Sequence, residues 1–251
     1  MDVGERVNWT PQAGSQVLFM SCPIFECLYE GTRGPGKTDG LLMSFAQYTG
    51  KGFGIAWRGI IFRRTYKELQ DVITKSKKWF KLIFPGAKYN ESKHEWHWPD
   101  GEALLFRHMK SPNDYWSYHG HEYPFIGWEE LTNWPDDTCY KLMMSCCRSA
   151  HPGIMLPSGG RMPIPRMVRA TTNPYGPGHN WVKRRWRLPG GRGIVIDKAY
   201  DSDGNREPPR VAIHGSIYEN KILLDADPTY CLLYTSPSPR DRTRSRMPSS
   251  A

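Results

Sequence analysis

Long hydrophobic runs are absent from this chain of 251 residues. Its longest apolar stretches, such as Gly40–Phe45 and Ile60–Phe62, fall far short of the roughly 20 residues that a membrane-spanning helix needs. No basic segment followed by an apolar one opens the sequence, which argues against secretion. The chain also has no CxxC pair, so its six cysteines are typical of reduced, mostly buried thiols in a cytosolic protein.

An acidic excess is lacking too, because 34 Lys and Arg stand against 25 Asp and Glu, a net charge of +9. Hydrophobic residues make up 39% of the chain and Trp alone numbers ten, which excludes an acidic disordered chain and a collagen-like one. The length allows one large domain, or one and a half, and suffices for a sizeable core. A basic balance favours a polyanionic partner and indicates nothing about the fold.

Part of that charge comes from residues 231–251, which read CLLYTSPSPRDRTRSRMPSSA. One interpretation is a basic disordered tail. We favour another, because Cys231–Ser236 back-translates to a transposase end sequence used in DNA library preparation and Ser245–Ala251 resembles a sequencing primer. The segment would then be adaptor read-through, and the protein's own sequence would stop near Tyr230, in mid-gene. Since it holds four Arg and one Asp, the residues before it carry 30 basic and 24 acidic side chains, a net charge of +6.

Turn residues divide the rest of the chain into a lead-in, residues 1–24, and a domain, residues 25–230. The predicted strands are Phe25–Tyr29, Gly59–Phe62, Tyr123–Trp128, Ile164–Thr171, a late pair at Gly193–Ala199 and Arg210–Gly215, and a hairpin of His94–Trp98 with Glu102–Arg107. The predicted helices are Lys37–Tyr48, Thr65–Phe84 with a Thr65/Glu68 capping box, and Asp136–Arg148. This alternation predicts an α/β fold with a mainly parallel central sheet covered by helices.

The strongest motif lies between the first predicted strand and the first predicted helix. There, Gly31-Thr-Arg-Gly-Pro-Gly-Lys-Thr38 matches G-x-x-x-x-G-K-[ST] at every fixed position, and a chance glycine-rich turn is a poor alternative in that context. Backbone N–H groups of such a loop, helped by the helix N-terminus, bind the phosphates of a nucleotide. The predicted nucleotide-binding residues are Gly31, Thr32, Gly34, Pro35, Gly36, Lys37 and Thr38.

Three side chains of this loop have predicted roles in phosphate chemistry. Lys37 would reach the β- and γ-phosphates, and the Thr38 hydroxyl would bind Mg²⁺. Arg33 is an additional cation, which would either contact the γ-phosphate or be a solvated loop residue. ATP and Mg²⁺ are therefore the predicted cofactors.

A second acidic element follows about 90 residues later, where the strand Pro124–Trp128 ends in Glu129 and Glu130. Hydrolysis of a nucleotide needs a carboxylate at Mg²⁺ and a group that activates water. Glu129 would sit at the metal and Glu130 would activate water. Asp is more usual at the first of these positions, and Glu is one methylene longer. The spacing suits a phosphate-binding fold in which another strand lies between the two motif-bearing strands.

A third element, Arg169–Pro174, ends another predicted strand. With it, the chain resembles the large terminase subunits of tailed double-stranded DNA phages over about residues 9–230. The resemblance is carried by Glu30–Thr38, Ile61–Thr65, Trp96–Gly101, Tyr118–Tyr123, Phe125–Thr132 and Thr171–Trp186. Each segment alone is common, but the combination is specific.

The resemblance implies a RecA-like P-loop ATPase domain whose hydrolysis moves double-stranded DNA into a procapsid. By position, Gln16 looks like the family's adenine-reading glutamine and Arg33 its P-loop arginine, while Glu129 and Glu130 occupy the Walker B positions. The family's coupling motif, which senses the γ-phosphate, would be Thr171, Thr172 and Asn173. A C-terminal nuclease domain would lie beyond this sequence, so we predict ATP hydrolysis without DNA cleavage.

The same resemblance implies a portal protein and a small terminase subunit as partners, a homo-oligomeric ring during packaging, and the host cell cytoplasm rather than a membrane as location. The cations Lys183, Arg184, Arg185, Arg187 and Arg192 give weak support for contacts with DNA phosphates. Two alternatives stay open. One is a helicase-like DNA translocase, and the other is a non-hydrolysing, nucleotide-binding prophage remnant, which Glu129 in place of Asp favours.

Overall fold

The computed structural model describes residues 9–201 and 203–229, which contain eleven strands and six α-helices. The strands are β1 (Glu26–Gly31), β2 (Arg58–Arg63), β3 (Lys88–Asn90), β4 (Glu95–His97), β5 (Ala103–His108), β6 (Phe125–Trp128), β7 (Ile154–Met155), β8 (Arg161–Met162), β9 (Met167–Thr172), β10 (Val195–Ile196) and β11 (Arg210–Gly215). The helices are α1 (Ser15–Met20), α2 (Lys37–Ala46), α3 (Leu69–Ile83), α4 (Thr138–Met144), α5 (His179–Trp186) and α6 (Lys221–Ala226). The segment interpreted as adaptor read-through lies outside the described residues.

Nine of these strands form one sheet in the order β10-β11-β1-β9-β6-β2-β5-β4-β3. Neighbouring strands are parallel from β11 to β5 and antiparallel at both edges of the sheet. Strand β9 lies between β1 and β6, so one strand separates the two motif-bearing strands, as their spacing predicts. The predicted α/β class with a mainly parallel central sheet is confirmed.

Helices cover both faces of this sheet, because successive side chains of each parallel strand point to opposite faces. On β1, Cys27 and Tyr29 join a core cluster that includes side chains of α2 and α3, whereas Leu28 joins a second cluster with side chains of α4 and α5. Within the described residues, no helix combines the length and the apolar character that crossing a bilayer requires.

All three predicted helices are shorter than expected. The helix predicted to reach Tyr48 ends at Ala46, and in the other two, side-chain and turn contacts take the place of helical hydrogen bonds at one end. The helix predicted from Thr65 begins at Leu69, since the Glu68 carboxylate accepts hydrogen bonds from both the N–H and the hydroxyl of Thr65 at 2.9 Å and holds a turn there. The helix predicted to reach Arg148 ends at Met144. Beyond it the N–H of Cys146 donates to the carbonyl three residues earlier, and its own carbonyl accepts from the N–H of Tyr123.

Several short elements were not predicted. Helix α1 lies in the lead-in, α5 and α6 follow β9 and β11, and β3, β7 and β8 have two or three residues each. Elements of this length show too few turns of a periodic pattern to stand out in a sequence.

A buried ionic network fastens α5 to the amino end of β1. The Glu26 carboxylate accepts hydrogen bonds from Arg185 Nε and Nη2 at 3.0 and 2.9 Å and from the Tyr140 hydroxyl at 3.0 Å. Arg185 Nη1 and Arg210 Nη1 both bind the Glu207 carboxylate, at 2.9 and 2.7 Å. Burial raises the pKa of Glu26, and the guanidinium of Arg185 opposes that rise. Arg185 therefore serves the fold, and its predicted contact with DNA phosphates is wrong.

We expect Arg185→Met to lower the free energy of unfolding by about 3–5 kcal/mol, because it leaves the buried Glu26 carboxylate without its cation. Urea denaturation followed by tryptophan fluorescence measures this loss. The exposed neighbour Arg184 is the matched control, and Arg184→Met should change stability by less than about 0.5 kcal/mol. Equal stabilities for the two variants would contradict a structural role for Arg185.

Candidate functional site

The carboxyl ends of β1, β9, β6 and β2 meet at one edge of the sheet, where a cleft of about 900 Å³ opens. Residues from each of the predicted motifs line this cleft. They include Arg33, Gly34, Gly36, Lys37 and Thr38 of the loop, Glu130 after β6, and Asn173 after β9. The structure therefore brings together side chains that lie up to 140 residues apart in the sequence.

The glycine-rich loop leaves β1 at Gly31 and enters α2 at Lys37. Gly31 has φ 138°, and a Cβ there would lie 2.2 Å from the Gly215 carbonyl oxygen on the neighbouring strand β11. Gly36 precedes the helix in the left-handed region with φ 77°. The Tyr29 hydroxyl donates to the Pro35 carbonyl at 2.9 Å, which fixes the loop from the side of the sheet.

The Lys37 side chain is buried at the centre of the loop. Its Nζ donates to the carbonyl oxygens of Gly31 and Thr32 at 3.1 and 2.6 Å and to Asn173 Oδ1 at 2.9 Å. Burial lowers the pKa of Lys37 to about 8, and the nearby carboxylate of Glu130 opposes this effect. The ammonium group is thus held by neutral oxygen acceptors, which a phosphate oxygen could replace.

Glu129 is a buried carboxylate that lies near Arg63 and Thr38. Its Oε2 lies 3.0 Å from Arg63 Nε, and the Thr38 hydroxyl lies close to the carboxylate. Burial raises the pKa of Glu129, while Arg63 and then Thr38 oppose the rise. Apart from the ion pair, Glu129 Oε2 has no hydrogen-bond partner among the described residues. A hydroxyl beside an under-coordinated carboxylate fits the oxygen ligands that Mg²⁺ prefers.

Glu130 lies beside the cleft with its backbone in the left-handed region, at φ 54°. Both of its carboxylate oxygens accept hydrogen bonds from Asn173 Nδ2 at 2.8 Å, and its N–H donates to the Thr171 hydroxyl at 3.3 Å. Since Asn173 Oδ1 also accepts from Lys37, one amide joins the lysine and the glutamate. The remaining residue of the predicted coupling motif, Thr172, shares a hydrogen bond of 2.8 Å with the Thr132 hydroxyl.

Two predicted residues lie at different depths around the loop. Arg33 is exposed at the rim of the cleft. Gln16 is buried behind the loop, where its Nε2 donates to the Gly36 carbonyl at 3.0 Å and its Oε1 accepts from the Gln12 N–H at 2.7 Å. Its predicted contact with adenine stays a prediction.

Arg63 is a site residue that sequence reasoning did not select. It ends β2, the strand beside β6, so its side chain reaches the carboxylate that follows β6. The signal was present, because a cation at the carboxyl end of an apolar strand lies near the other strand ends of a parallel sheet. It could not be used without the strand order.

Comparisons with known proteins agree with this architecture. The family model described as the N-terminal part of the T4-like type of terminase large subunit matches residues 28–147. A search of curated proteins finds no match.

Similar folds occur among solved structures of phage proteins. A large terminase from a thermophilic bacteriophage, solved in complex with ATP-γ-S, has a TM-score of 0.59 and 14% identity, covering 90% of this chain and 50% of that one. The same terminase with ADP has a TM-score of 0.56 and 12% identity, covering 94% and 49%. The large terminase ATPase domain of Thermus phage P74-26 has a TM-score of 0.57 and 11% identity, covering 93% and 92%. This chain thus spans about half the length of the nucleotide-bound terminase, and the likeness confirms a RecA-like fold.

The Arg63–Glu129 pair gives a test of the site that does not depend on activity. Arg63→Met should lower the free energy of unfolding by about 3–5 kcal/mol, because Glu129 would stay buried without a cation. Adding Glu129→Gln should restore most of that stability, since no buried charge is then left. Chemical denaturation of both single variants and the double variant gives the coupling energy. Additive losses would show that the two side chains do not interact, and the exposed Lys67→Met serves as control.

Proposed function

We infer that this chain, whose residues 28–147 match the N-terminal part of a terminase large subunit, is a Mg²⁺-dependent ATPase that drives double-stranded DNA into a procapsid. The observation that carries this proposal is the hydrogen-bonded series Lys37–Asn173–Glu130 at the cleft. It joins a phosphate-binding cation, a polar sensor and a carboxylate that can act on water. The nucleotide-bound terminase, which has a similar fold, was solved with ADP and with ATP-γ-S.

ATP would bind with its phosphates in the loop Gly31–Thr38. Backbone N–H groups and the N-terminus of α2 attract the phosphate oxygens. Lys37 would exchange its contacts with loop carbonyls for the β- and γ-phosphates, and with a pKa of about 8 it is mostly protonated at neutral pH. Arg33 at the rim of the cleft would reach the γ-phosphate. Gln16, which contacts the loop at the Gly36 carbonyl, would lie toward the adenine base.

Glu130 would orient and activate the attacking water. Its carboxylate accepts hydrogen bonds from Asn173, so the amide would have to turn away before Glu130 accepts a proton from water. A γ-phosphate beside Lys37 offers Asn173 another partner. Asn173 would in this way couple occupation of the loop to release of the base.

Thr38 and Glu129 would hold Mg²⁺. The ion would neutralise the charge on the β- and γ-phosphate oxygens. The Thr38 hydroxyl lies close to the Glu129 carboxylate, so the two oxygen ligands are near each other in the structure. The longer side chain of Glu129 would serve in place of the usual Asp because Glu129 follows β6 directly and is deeply buried at the carboxyl end of the sheet.

Hydrolysis would be coupled to DNA through Thr171, Thr172 and Asn173. Double-stranded DNA, a portal protein and a small terminase subunit are the proposed partners, in a homo-oligomeric ring within the host cell cytoplasm. Among the cations of the basic stretch, Lys183, Arg184 and Arg187 are exposed and suit contact with DNA phosphates. No DNA cleavage is proposed for this chain.

The site assignment predicts different defects for two variants. Lys37→Ala should abolish ATP binding, because it removes the cation that meets the β- and γ-phosphates. Glu130→Gln should still bind ATP and lose about 10²–10⁴-fold in kcat, because the amide cannot take a proton from water. Steady-state ATPase assays and equilibrium binding with and without double-stranded DNA measure both effects.

Lys141→Ala, on the exposed side of α4, is the control for these assays and should match the unaltered chain. Unchanged turnover in both Lys37→Ala and Glu130→Gln would refute the site assignment. Binding of ATP by the unaltered chain without any turnover, even with DNA and partners present, would instead favour a non-hydrolysing nucleotide-binding protein.

A further inference from the structure

The outer side of the phosphate-binding loop is held by a ring of side-chain amides. The carbonyl of Gly36 accepts from Gln16 Nε2 at 3.0 Å, and the carbonyl of Gly34 accepts from Asn220 Nδ2. Gln12 joins these two amides, because its N–H donates to Gln16 Oε1 at 2.7 Å and its Nε2 donates to Asn220 Oδ1 at 2.6 Å. We call Gln12, Gln16 and Asn220 the amide ring.

Asn220 is held in place by the segment that follows β11. Its Oδ1 also accepts from the Leu223 N–H at 3.2 Å and so caps α6. The preceding residue, Glu219, accepts a hydrogen bond from the Ser15 hydroxyl at 2.5 Å, which ties the segment to α1. Contacts on both sides of Asn220 therefore orient its Nδ2 group toward the loop.

Gly34 fits this close approach because it has no side chain. Its φ of 105° is unfavourable for other residues, and a Cβ would lie 3.0 Å from Ile217 Cγ1 and 3.3 Å from Leu223 Cδ2. The segment 216–223 thus packs directly against the loop. Both Asn220 and Leu223 also reach the lining of the cleft.

The hydrogen bonds to the carbonyls of Gly34 and Gly36 restrain the backbone of the phosphate-binding loop. The Gly36 carbonyl accepts both from Gln16 Nε2 and from the Gly40 N–H, each at 3.0 Å. Because the carbonyl and the N–H of one peptide unit point in opposite directions, the Lys37 N–H points away from these two donors. The bond to the Gly34 carbonyl fixes the peptide unit before Pro35, which has no N–H, so it restrains the path of the loop rather than the direction of an amide donor. A loop rich in glycine would otherwise lose much conformational entropy on binding a phosphate.

We propose that Asn220 is a positioning residue of the phosphate-binding loop, which it holds with Gln16 in the form that accepts a triphosphate. The proposal rests on the nucleotide binding put forward above. It requires that loss of the Asn220 donor weakens binding of the triphosphate itself, whatever base is attached. A contact between Asn220 and the base would instead leave the binding of inorganic triphosphate unchanged.

Two variants separate the loop contact from the other roles of Asn220. Asn220→Asp keeps an oxygen that can cap α6 and accept from Gln12, but it cannot donate to the Gly34 carbonyl. Asn220→Ser is uncharged and also caps helices, but its short side chain does not reach the loop. Each variant should bind ATP and inorganic tripolyphosphate about tenfold more weakly than the unaltered chain, by the same factor for both ligands.

The dissociation constants are measured on the 251-residue chain by displacement of a fluorescent ATP analogue, with Ile222→Ala on the exposed side of α6 as matched control. Hydrogen exchange of residues 31–38 without nucleotide gives a second measurement, and it should be faster in Asn220→Ser but unchanged in the control. Gln16→Met opens the amide ring from the other side and should weaken tripolyphosphate binding, and ATP binding at least as much, because Gln16 is also proposed to lie toward the base. It also covers the case in which the Asn220 variants do not fold.

Weakening in Asn220→Asp alone would reveal a charge effect and overturn the proposal. Weakening confined to ATP would assign the amides to the base and overturn it as well, as would unchanged binding in both Asn220 variants. If the unaltered chain bound neither ATP nor tripolyphosphate, the proposed function itself would fail. That result is distinct, because it requires no variant.

Discussion

The chemistry of the cleft depends on one amide, the side chain of Asn173. Its oxygen accepts a hydrogen bond from the Lys37 ammonium, and its nitrogen donates to the Glu130 carboxylate. It therefore gives a hydrogen-bond partner to two side chains of opposite charge at the cleft. An amide is suited to this position because it is neutral and has both a donor and an acceptor. The sheet makes the contact possible, since β9, which Asn173 follows, lies between β1, which precedes the loop with Lys37, and β6, which precedes Glu130.

The second charged pair solves a different problem. Glu129 lies too deep for solvent to stabilise its charge, and Arg63 from the adjacent strand end provides that stabilisation. A buried carboxylate with a single cation and one hydroxyl is a costly arrangement for a fold and a useful one for a metal site.

The sequence was sufficient for the fold class and for the three motifs. The apolar runs of β1, β2, β6 and β9 are each followed or ended by glycine, a cation, a carboxylate or a hydroxyl. Because the carboxyl ends of parallel strands share one edge of the sheet, these groups could be expected to lie close together. Contacts across the sheet could not be predicted, because they depend on strand order. Arg63 beside Glu129 is one example. The contact of Arg185 with Glu26 was missed for a related reason, because it depends on how α5 packs against β1. Asn220 was missed because nothing near it in the sequence suggests a loop some 185 residues earlier.

The buried Thr132 hydroxyl extends the reach of the site beyond the cleft. It hydrogen-bonds to Thr172 at 2.8 Å and to the Tyr175 carbonyl at 2.5 Å, so the chain after β6 and the chain after β9 form one rigid corner. The N-cap glycine of α5, Gly178, presses on that corner, because a Cβ there would lie 1.9 Å from the Trp134 carbonyl oxygen. The same threonine hydroxyl donates to the Asn173 carbonyl at 3.3 Å, so the strand end that carries Asn173 packs through this corner against the start of α5. Lys183 and Arg184 lie on the exposed face of that helix, and a displacement of the corner would therefore move those cations with it.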